Sequence, residues 1–497
     1  MAKSNSKRVL QINNNTLIRD SLDDKPRDEC GVFGIVAPKR QIARLIHFGL
    51  YALQHRGQES AGIAVWDGKE LQMRKSMGLV SEVFDDRILS QLQGYMGVGH
   101  VRYSTTGSSN LSNAGPFEAH DPVLGYVAVG HNGNVVNAPE LREELLTAGV
   151  KLGGTTDTEV ITHILALAPG ANWHEKLYNG AKRLRGAFSL AVLTQNHVYA
   201  IRDPFGIRPL SVGQLNDGGG WIVCSETCAL DTVDASYEFD VEPGEILELS
   251  ESGAKTISRL PRWEAPEHQA ALCATELFYI ARPDSNISGR NVYMVREELG
   301  RWLAREHSVE ADLVIGVPDS GIPAAAGYAQ ESGLPYREGI IKNRYIGRTF
   351  IQPDPQMRRR SVQLKLNPLR PILEGKRVIV VDDSIVRGNT TRGIVSMLRT
   401  IGGAREVHLR ISAPPILHPC VLGIDTGTYE ELIANHMTVE QIRQHVDADS
   451  LGFLSVDNFV TASGINKNRL CLACFNGHYP IDFKYVPGGA KLTMESL

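Results

Sequence analysis

Two patterns of apolar and polar positions divide the chain. In the C-terminal half, the β-branched run at 378–381 predicts a buried strand, and Ile394, Leu398 and Ile401 fall on one face of a following helix. Residues 406–411 predict the next strand. This alternation of strand, loop, helix and strand predicts an α/β domain with a doubly wound, mostly parallel sheet. Ligands of such sheets bind beyond the carboxyl ends of the strands.

A similar unit lies upstream, where residues 313–317 predict a strand and 324–331 a helix. The N-terminal half has short strand-like runs between Gly-rich turns, which predicts a sheet-rich α+β domain. These runs are residues 31–37, 62–66, 126–129, 189–194 and 198–202. The charged, Pro-containing stretch 260–271 predicts a linker. We therefore expect a leader at 1–29, domains at 30–260 and 272–470, and a C-terminal tail at 471–497.

The composition and charge of the chain limit the classes of partner that we expect it to bind. The 497 residues are 42% hydrophobic and 22% charged, with a formal net charge of −4. This balance gives no reason to expect nucleic acid or an anionic membrane, so we expect small-molecule substrates. The polar, mixed-charge leader lacks the apolar core of a secretory signal, which favours a cytoplasmic location. Seven irregularly spaced cysteines do not form a disulfide framework in a chain of this length.

The segment VIVVDDSIVRGNT places a loop between the predicted strand and helix. Such a loop offers backbone N–H groups and a positive helix end to a phosphate. Asp382 and Asp383 directly precede it and could bind ribose hydroxyls and a hydrated Mg²⁺. For an arbitrary acidic pair, a helix cap would be the simpler interpretation.

The same segment resembles the thirteen-residue signature of the type I phosphoribosyltransferases. The resemblance implies that Asp382 and Asp383 contact the ribose and Mg²⁺, and that the loop binds the 5-phosphate of phosphoribosyl pyrophosphate. The loop residues concerned are Ser384, Ile385, Val386, Arg387, Gly388, Asn389 and Thr390. Residues 317–323 resemble the family's pyrophosphate loop, with Ser320 on the metal side.

Residues 341–353 carry three cations, Lys342, Arg344 and Arg348, among polar residues. Such a segment could be a solvated surface. Departure of pyrophosphate, however, requires neutralised charge and exclusion of water, which a closing cationic loop would supply. The segment resembles the flexible lid of the amidophosphoribosyltransferases, and we favour the lid.

Cys30 follows the leader at the start of a predicted strand. Taken alone, such a cysteine is most often a small buried residue. Removal of the leader would instead give Cys30 a free α-amine, so that nucleophile and general base belong to one residue. An α-amine titrates at roughly 7.7–8.0, which suits a base working near neutral pH.

Four segments, at 30–35, 54–62, 99–107 and 131–133, together resemble the N-terminal-nucleophile glutaminase domain, an αββα sandwich. Attack on a carboxamide needs donors for the oxyanion, and Asn132 with the Gly133 N–H would provide them. The resemblance implies that Arg102 binds the α-carboxylate of glutamine and Asp157 its α-ammonium. Taken singly, they would be a surface ion pair and a helix cap. His55 and His100 are interpreted as structural.

The remaining cysteines include a C-x-x-C at 471–474, which alone could be a zinc half-site, part of an iron–sulfur site, or chance. One branch of the amidophosphoribosyltransferases holds a [4Fe–4S] cluster. The cysteines that correspond to its ligands here are Cys273, Cys420, Cys471 and Cys474. Cys224 and Cys228 are predicted to be core residues.

The resemblance to the amidophosphoribosyltransferases covers nearly the whole chain from Cys30 onward. It implies transfer of glutamine-derived ammonia to phosphoribosyl pyrophosphate, the step that commits this sugar to purine synthesis. It also implies Mg²⁺, a homotetramer and inhibition by purine nucleotides. Two other classes of protein share part of this pattern. The glutamine–fructose-6-phosphate transaminases share the glutaminase half, but the phosphate loop at 384–390 argues against them. A phosphoribosyl-pyrophosphate-sensing DNA-binding regulator should show a basic face or a DNA-reading helix, and the sequence of this acidic chain indicates neither.

Overall fold

A computed structural model describes residues 30–103, 108–262, 270–343 and 365–483. The predicted leader, the lid residues Arg344 and Arg348, most of the predicted linker and the end of the tail lie outside these ranges. Among the described residues, no helix is long and apolar enough to cross a membrane.

The first domain contains two antiparallel sheets. One has the order β11-β9-β10-β1-β4-β2-β3. Its strands are β1 Gly31–Val36, β2 Ser60–Trp66, β3 Leu71–Met77, β4 Met96–Arg102, β9 Ser211–Leu215, β10 Trp221–Cys224 and β11 Ala235–Asp240. The other has the order β13-β12-β8-β7-β6-β5. Its strands are β5 Phe117–Asp121, β6 Gly125–Val135, β7 Gly186–Thr194, β8 Val198–Arg202, β12 Glu245–Ser250 and β13 Gly253–Arg259.

The two sheets pack face to face, and helices cover their outer faces. Val32 and Val98 of one sheet and Ala191 of the other lie in the core between them. The helices are Ile42–Ala52, Val80–Val83, Asp86–Gln91, Ala138–Thr147, Asp157–Leu167, Trp173–Ala181 and Cys228–Thr232, with a 3₁₀ turn at Leu111–Asn113. Separate apolar clusters join the helices to each sheet. The predicted αββα sandwich is confirmed.

The second domain is built on a parallel sheet of order β17-β20-β21-β22. These strands are β17 Leu313–Gly316, β20 Arg377–Asp382, β21 Glu406–Ile411 and β22 Ser450–Phe453. Short strands pair around it: β14 Leu272–Cys273, β15 Asn286–Ile287, β16 Arg290–Asn291, β18 Ile340–Lys342, β19 Leu366–Pro368 and β23 Leu470–Cys471. The predicted doubly wound domain is confirmed, because apolar clusters cover both faces of the sheet.

The helices of the second domain are Val292–Glu306, Ile322–Ser332, Arg370–Leu373, Asn389–Thr400, Ile433–His436, Val439–Val446, Val456–Ser463 and Ala473–Asn476. A π-helical turn spans Glu276–Ile280, and a 3₁₀ turn spans Lys467–Arg469. The helix Asn389–Thr400 follows β20 directly and buries Ile394, Val395 and Leu398 against the sheet. This packing sets the helix N-terminus at the carboxyl end of the strand.

The end of the predicted linker and the residues directly after it contact the first domain before the chain enters the second. The Ala271 N–H donates to the Phe205 carbonyl at 2.8 Å, and the Cys273 N–H donates to Ile207 at 3.0 Å. β14 then pairs in parallel with β23 from the end of the chain. Three distant segments of sequence thus meet at this junction.

Candidate active sites in the two domains

Cys30 lies immediately before β1 and is buried. Its Sγ lies 3.5 Å from the carbonyl oxygen of Tyr103, which follows β4. β1 pairs with β4, so this pairing holds Cys30 beside the segment that contains Arg102. The predicted nucleophile therefore lies just before β1, beside the end of β4 that carries the predicted carboxylate-binding cation.

Asn132 and Gly133 lie in β6, on the second sheet. Asn132 is completely buried, and neither its Nδ2 nor its Oδ1 has a hydrogen-bond partner among the described residues. Gly133 has φ +141°, and a Cβ there would lie 2.1 Å from the Ala187 carbonyl oxygen, so only glycine fits. A buried amide without partners suits a group that receives its hydrogen-bond partner from a ligand.

The two predicted glutamine-binding residues are buried charges. Arg102 Nη1 lies 3.5 Å from Glu59 Oε2 and 3.4 Å from the Ser108 carbonyl. Asp157 begins its helix, and its Oδ2 accepts from the Val135 N–H at 3.0 Å. Burial alone would raise the pKa of Asp157, but nearby His131 and the hydrogen bonds hold it below its usual value. Asp157 therefore stays ionised, as a partner for an ammonium must.

The two histidines interpreted as structural have protein partners. Burial lowers the pKa of His100 to about 3, so its imidazole is neutral, and its Nε2 lies 2.9 Å from the His131 carbonyl. His55 Nε2 lies 2.7 Å from Glu226 Oε1.

A buried ion network lies behind Cys30. The Nε–H of Arg56 donates to the Cys30 carbonyl at 3.2 Å. Its Nη1 donates to Glu226 at 2.5 Å, and its Nη2 donates to Glu276 at 2.6 Å. Arg208 Nη1 also lies 3.5 Å from Glu276. The sequence analysis did not predict these roles, although Arg56 lies within the segment 54–62. The partners of Arg56 are 170 and 220 positions away from it in the chain.

The second candidate site lies at the carboxyl end of β20. Asp382 ends that strand, and the Asp383 N–H donates to Asp382 Oδ1 at 2.9 Å. The Ser384 hydroxyl donates to Asp383 at 2.6 Å, and the Ser320 hydroxyl also donates to Asp383. The structure therefore brings together the predicted acidic pair and Ser320, the predicted metal-side residue of the pyrophosphate loop.

The predicted phosphate loop joins β20 to the helix Asn389–Thr400. Gly388 caps that helix with φ +83°, and a Cβ there would lie 2.9 Å from Ile433 Cδ1. The side chains of Ile385 and Val386 point into apolar clusters. These two residues can therefore contact a phosphate only through the backbone, whereas Ser384 and Thr390 also carry hydroxyl groups.

The charged residues around this loop have acidic partners. Lys342, the described member of the predicted lid cations, forms an ion pair with Asp319 of the pyrophosphate loop. Arg387 Nη2 lies 3.2 Å from Glu431 Oε1. Both cations are held near the loops at the strand ends, where an anionic substrate could replace their partners.

The four candidate cluster cysteines come from three segments that converge at the junction. Cys273 and Cys471 are opposite each other in the β14–β23 pair, and Cys474 lies in the next helix. Burial, and then the neighbouring thiols of Cys273, Cys471 and Cys420, raise the pKa of Cys474. Among the described residues, however, no set of three or more His, Cys, Asp or Glu is arranged to hold a metal ion. Cys224 and Cys228 lie in the core, as predicted.

The loop that follows Cys420 packs on the strand of Asn132. Asn134 Nδ2 donates to the Val421 carbonyl at 2.8 Å, and Arg208 Nη2 donates to the Leu422 carbonyl at 2.9 Å. A Cβ on Gly423, which has φ +111°, would lie 3.0 Å from the Gly133 carbonyl carbon. The second domain therefore supports the strand that carries the predicted oxyanion donors.

Two family models match the chain. A glutamine amidotransferase domain matches residues 108–232, and a phosphoribosyl transferase domain matches residues 288–414. A solved structure described as the allosteric regulatory enzyme of purine biosynthesis is similar, with a TM-score of 0.85 and 45% identity over 92% of this chain and 97% of that one.

Curated relatives match over nearly their whole length. The amidophosphoribosyltransferase of Synechococcus elongatus is 48% identical over 95% of this chain and 96% of its own. That of Bacillus subtilis is 46% identical over 92% of this chain and 94% of its own. A solved Bacillus subtilis glutamine phosphoribosylpyrophosphate amidotransferase, complexed with ADP and GMP, has a TM-score of 0.84 and 45% identity over 92% of this chain and 98% of that one. The chain therefore belongs to the amidophosphoribosyltransferase family.

Proposed function

We propose that the protein releases ammonia from L-glutamine in its first domain and adds it to C1 of phosphoribosyl pyrophosphate in its second. The products are 5-phosphoribosylamine, glutamate and pyrophosphate, and the reaction commits the sugar to purine synthesis. One observation carries this proposal: a buried thiol before β1 and an acidic pair at the end of β20 belong to one chain of this family.

Glutamine hydrolysis begins at Cys30. Once residues 1–29 are removed, the α-amine of Cys30 accepts the thiol proton, and the thiolate attacks the glutamine carboxamide. The tetrahedral intermediate collapses to a γ-glutamyl thioester as the amine returns the proton to the departing ammonia. Water then attacks the thioester and releases glutamate, which regenerates the thiol.

The groups around Cys30 bind and polarise glutamine. The side-chain amide of Asn132, which has no described partner, and the Gly133 N–H would donate to the oxyanion. Arg102 would bind the α-carboxylate and Asp157 the α-ammonium. Their opposite charges match those of an amino-acid zwitterion. The lowered pKa of Asp157 supports its part, because an ionised carboxylate is required at neutral pH.

Phosphoribosyl pyrophosphate would bind at the carboxyl ends of β17 and β20. The backbone of residues 384–390 and the hydroxyls of Ser384 and Thr390 would hold the 5-phosphate, and Gly388 allows its close approach. Asp382 and Asp383 would accept hydrogen bonds from the ribose hydroxyls. Lys342, with Arg344 and Arg348 outside the described residues, would cover the leaving pyrophosphate.

The same acidic pair fits a magnesium ion. Mg²⁺ is usually held by one or two carboxylates, water and substrate phosphates, so Asp382, Asp383 and the Ser320 hydroxyl make a sufficient protein contribution. When bound, the ion neutralises charge on the departing pyrophosphate. The hydrogen bond from the Ser320 hydroxyl to Asp383 fixes the carboxylate for this purpose.

A [4Fe–4S] cluster is proposed for Cys273, Cys420, Cys471 and Cys474. Cys273 and Cys471 face each other in the β14–β23 pair, and Cys474 follows in the next helix, so sulfur ligands from separate segments meet at this junction. Iron would bind these sulfurs as thiolates. The cluster would be structural, because it would tie the C-terminal segment to the junction of the two domains.

Further proposals concern partners and location. The Bacillus subtilis relative was solved with ADP and GMP, which supports purine nucleotides as inhibitors of this protein. We propose a homotetramer in a cytoplasmic or equivalent reducing compartment. Ammonia would pass between the two sites through a water-excluding channel, because free ammonia in water is mostly protonated at neutral pH and then non-nucleophilic.

The variant Cys30→Ala tests the reaction. It should lose product formation from glutamine and keep product formation from ammonium salts, since added ammonia bypasses the first site. Both rates are measured as release of pyrophosphate. Cys224→Ala, which removes a buried core thiol of the same domain, should keep both activities. Glutamine-supported synthesis by Cys30→Ala would refute the proposal.

The cluster has its own test, which does not depend on activity. Protein purified without oxygen should contain about four iron atoms and four labile sulfides per chain. Cys474→Ser should lower the iron content and the visible absorbance, whereas Cys228→Ser should not. Iron-free protein, or zinc in place of iron, would contradict the cluster.

A further inference from the structure

The guanidinium of Arg56 joins the backbone of Cys30 to the second domain. Arg56 is fully buried, its Nε–H donates to the Cys30 carbonyl at 3.2 Å, and both of its Nη groups donate to Glu276, at 3.0 Å and 2.6 Å. A guanidinium stays protonated in proteins, and its planar fork fixes the direction of each bond. The position of the Cys30 carbonyl is therefore tied to the position of Glu276.

Glu276 lies beyond the predicted linker, in the first position of the π-helical turn Glu276–Ile280. Its carboxylate is fully buried and also lies 3.5 Å from Arg208. Burial alone would raise the pKa of Glu276, but Arg56 and Arg208 lower it below the usual value. Single π-helical turns are rare and are often found at functional sites.

Arg296 of the second domain holds the π-helical turn Glu276–Ile280 in place. This buried residue of the helix Val292–Glu306 donates through Nε to the Leu277 carbonyl at 2.9 Å and through Nη2 to the Ala281 carbonyl at 2.8 Å. Its charge also interacts with Asp383 of the second site. Glu276 is thus held in place by an element of the domain that binds the sugar.

Four full charges are buried in the network: Arg56, Arg208, Glu226 and Glu276. Apolar side chains of similar volume would often stabilise such an interface equally well, so stability alone does not account for the network. The network is balanced, with two cations and two anions, and one of its hydrogen bonds reaches Cys30. Loss of one carboxylate would leave a net positive charge beside that residue.

We propose that Glu276 is a positioning residue for glutamine hydrolysis: through Arg56, this side chain of the second domain holds Cys30 in its reactive orientation. The inference rests on the proposed role of Cys30. With its carbonyl fixed, the amine and thiol of Cys30 keep one arrangement toward the carboxamide of glutamine. Small displacements of a reacting group are sufficient to lower a rate strongly.

Glu276→Gln tests the inference, because it preserves shape and removes one charge. We expect kcat for glutamine hydrolysis to fall roughly 10- to 100-fold, with a smaller change in KM. Synthesis from ammonium salts, which does not use Cys30, should stay near the wild-type rate. This difference between the two nitrogen sources would not follow from general damage to the fold.

Alkylation of Cys30 by iodoacetamide, followed by mass spectrometry against pH, gives a second measurement. The charged groups around Arg56 and Glu276 are His55, Glu226, Arg202, Arg208, Arg282 and Arg296. In Glu276→Gln, the uncompensated positive charge should stabilise the thiolate, so the alkylation midpoint should move to lower pH. If Glu276 had no electrostatic connection to Cys30, that midpoint would stay unchanged.

Two variants complete the test. Asp121→Asn removes the carboxylate of another buried ion pair in the first domain, with Lys176 at 2.8 Å, and should change neither hydrolysis nor the alkylation midpoint. Glu276→Asp keeps the charge and should give a smaller loss of hydrolysis than Glu276→Gln, with a wild-type midpoint. If Glu276→Gln fails to fold, Glu276→Asp replaces it in the test. The rate that Glu276→Asp loses should still be confined to glutamine-supported synthesis.

The inference is overturned if Glu276→Gln hydrolyses glutamine at the wild-type rate, or if both nitrogen sources lose rate equally with an unchanged midpoint. If Glu276→Gln cannot be purified, equal losses in Glu276→Asp overturn it. These results differ from failure of the proposed function, which would appear as glutamine-supported synthesis by Cys30→Ala.

Discussion

Asn132 illustrates, at the scale of a single residue, how this chain exchanges stability for binding. Its side-chain amide is completely buried and has no hydrogen-bond partner among the described residues. Leaving such a group unsatisfied costs about 1–3 kcal/mol. Unsatisfied buried polar groups are rare in native proteins, and a binding or catalytic role is one reason for retaining them. The proposed oxyanion of glutamine would accept the hydrogen bond that the Nδ2 group lacks.

Asn132→Ala should therefore separate activity from stability. Loss of an oxyanion donor is expected to lower kcat for glutamine hydrolysis by roughly 10²–10³-fold. The urea midpoint should fall little, because the variant also removes two unsatisfied polar atoms. Steady-state hydrolysis and urea unfolding measure the two effects. The exposed amide variant Asn216→Ala should leave hydrolysis unchanged, and wild-type kcat in Asn132→Ala would exclude the role.

Residues with a local sequence signature could be predicted, whereas residues that act through distant partners could not. Cys30, Asp382 and Asp383 belong to short motifs, and the structure places each at a strand end, as those motifs implied. No short motif distinguishes Glu226, because its role depends on Arg56 and Ser285, which are 170 and 59 positions away. The electrostatic balance of the site is thus a property of the tertiary structure.

At the scale of elements, the second site depends on one junction between a strand and a helix. β20 ends at Asp382, and the helix begins at Asn389, so the loop between them presents N–H groups at a helix N-terminus. Gly388 allows the tight turn into the helix, because φ +83° is unfavourable for residues with a Cβ.

Gly388→Ala should weaken sugar-phosphate binding. Its Cβ would approach Ile433 to 2.9 Å and would need a backbone conformation that costs about 1–2 kcal/mol. We expect KM for phosphoribosyl pyrophosphate to rise roughly tenfold or more, measured with ammonium as the nitrogen source. The matched control is Gly403→Ala beyond the other end of the helix, at φ +73°, where the nearest atom is 3.4 Å away. A wild-type KM in Gly388→Ala would contradict the role of the loop.

Apolar periodicity predicted the long elements and missed the short ones. The predicted strand at 406–411 has the same bounds as β21, and the run at 378–381 lies within β20. β14 and β23 have only two residues each, and the π-helical turn Glu276–Ile280 has five. Elements of this length carry no periodic pattern, since tertiary contacts form them.

At the scale of the whole molecule, the two domains share buried charge. Glu226 of the first domain accepts from the Arg282 N–H at 2.9 Å and from the Ser285 hydroxyl at 2.7 Å, both in the second domain. Burial alone would raise the pKa of Glu226, but His55 and Arg56 hold it far below the usual value. The contact between the domains therefore depends on an ionised carboxylate.

The sign of the resulting pH dependence follows from that lowered pKa. As pH falls through about 4.5, the unfolded chain binds a proton that folded Glu226 does not bind, so the free energy of unfolding decreases. At higher pH, ionised Glu226 contributes in full to the free energy of unfolding. Thermal unfolding from pH 7 to pH 4 should therefore show a smaller loss of stability in Glu226→Gln than in the wild type.

Glu226→Gln should also be less stable than the wild type at pH 7, by about 3–5 kcal/mol, because it leaves buried Arg56 with one fewer anion. The control is Glu374→Gln, which changes an exposed i,i+4 pair with Arg370 and should follow the wild-type curve. Parallel curves for Glu226→Gln and the wild type would show that this carboxylate does not set the acid sensitivity.

The packing of Gly423 against Gly133 limits how the chain can be recombined. A chimera that joins residues 30–262 to a domain other than this phosphoribosyltransferase domain would lose the loop after Cys420. It would then also lose the Asn134–Val421 and Arg208–Leu422 hydrogen bonds. The glutaminase domain would then need another loop of similar shape packed against β6, with a glycine where the two backbones approach most closely. Protein engineers should therefore treat the 420–424 loop as part of the glutaminase when choosing a fusion boundary.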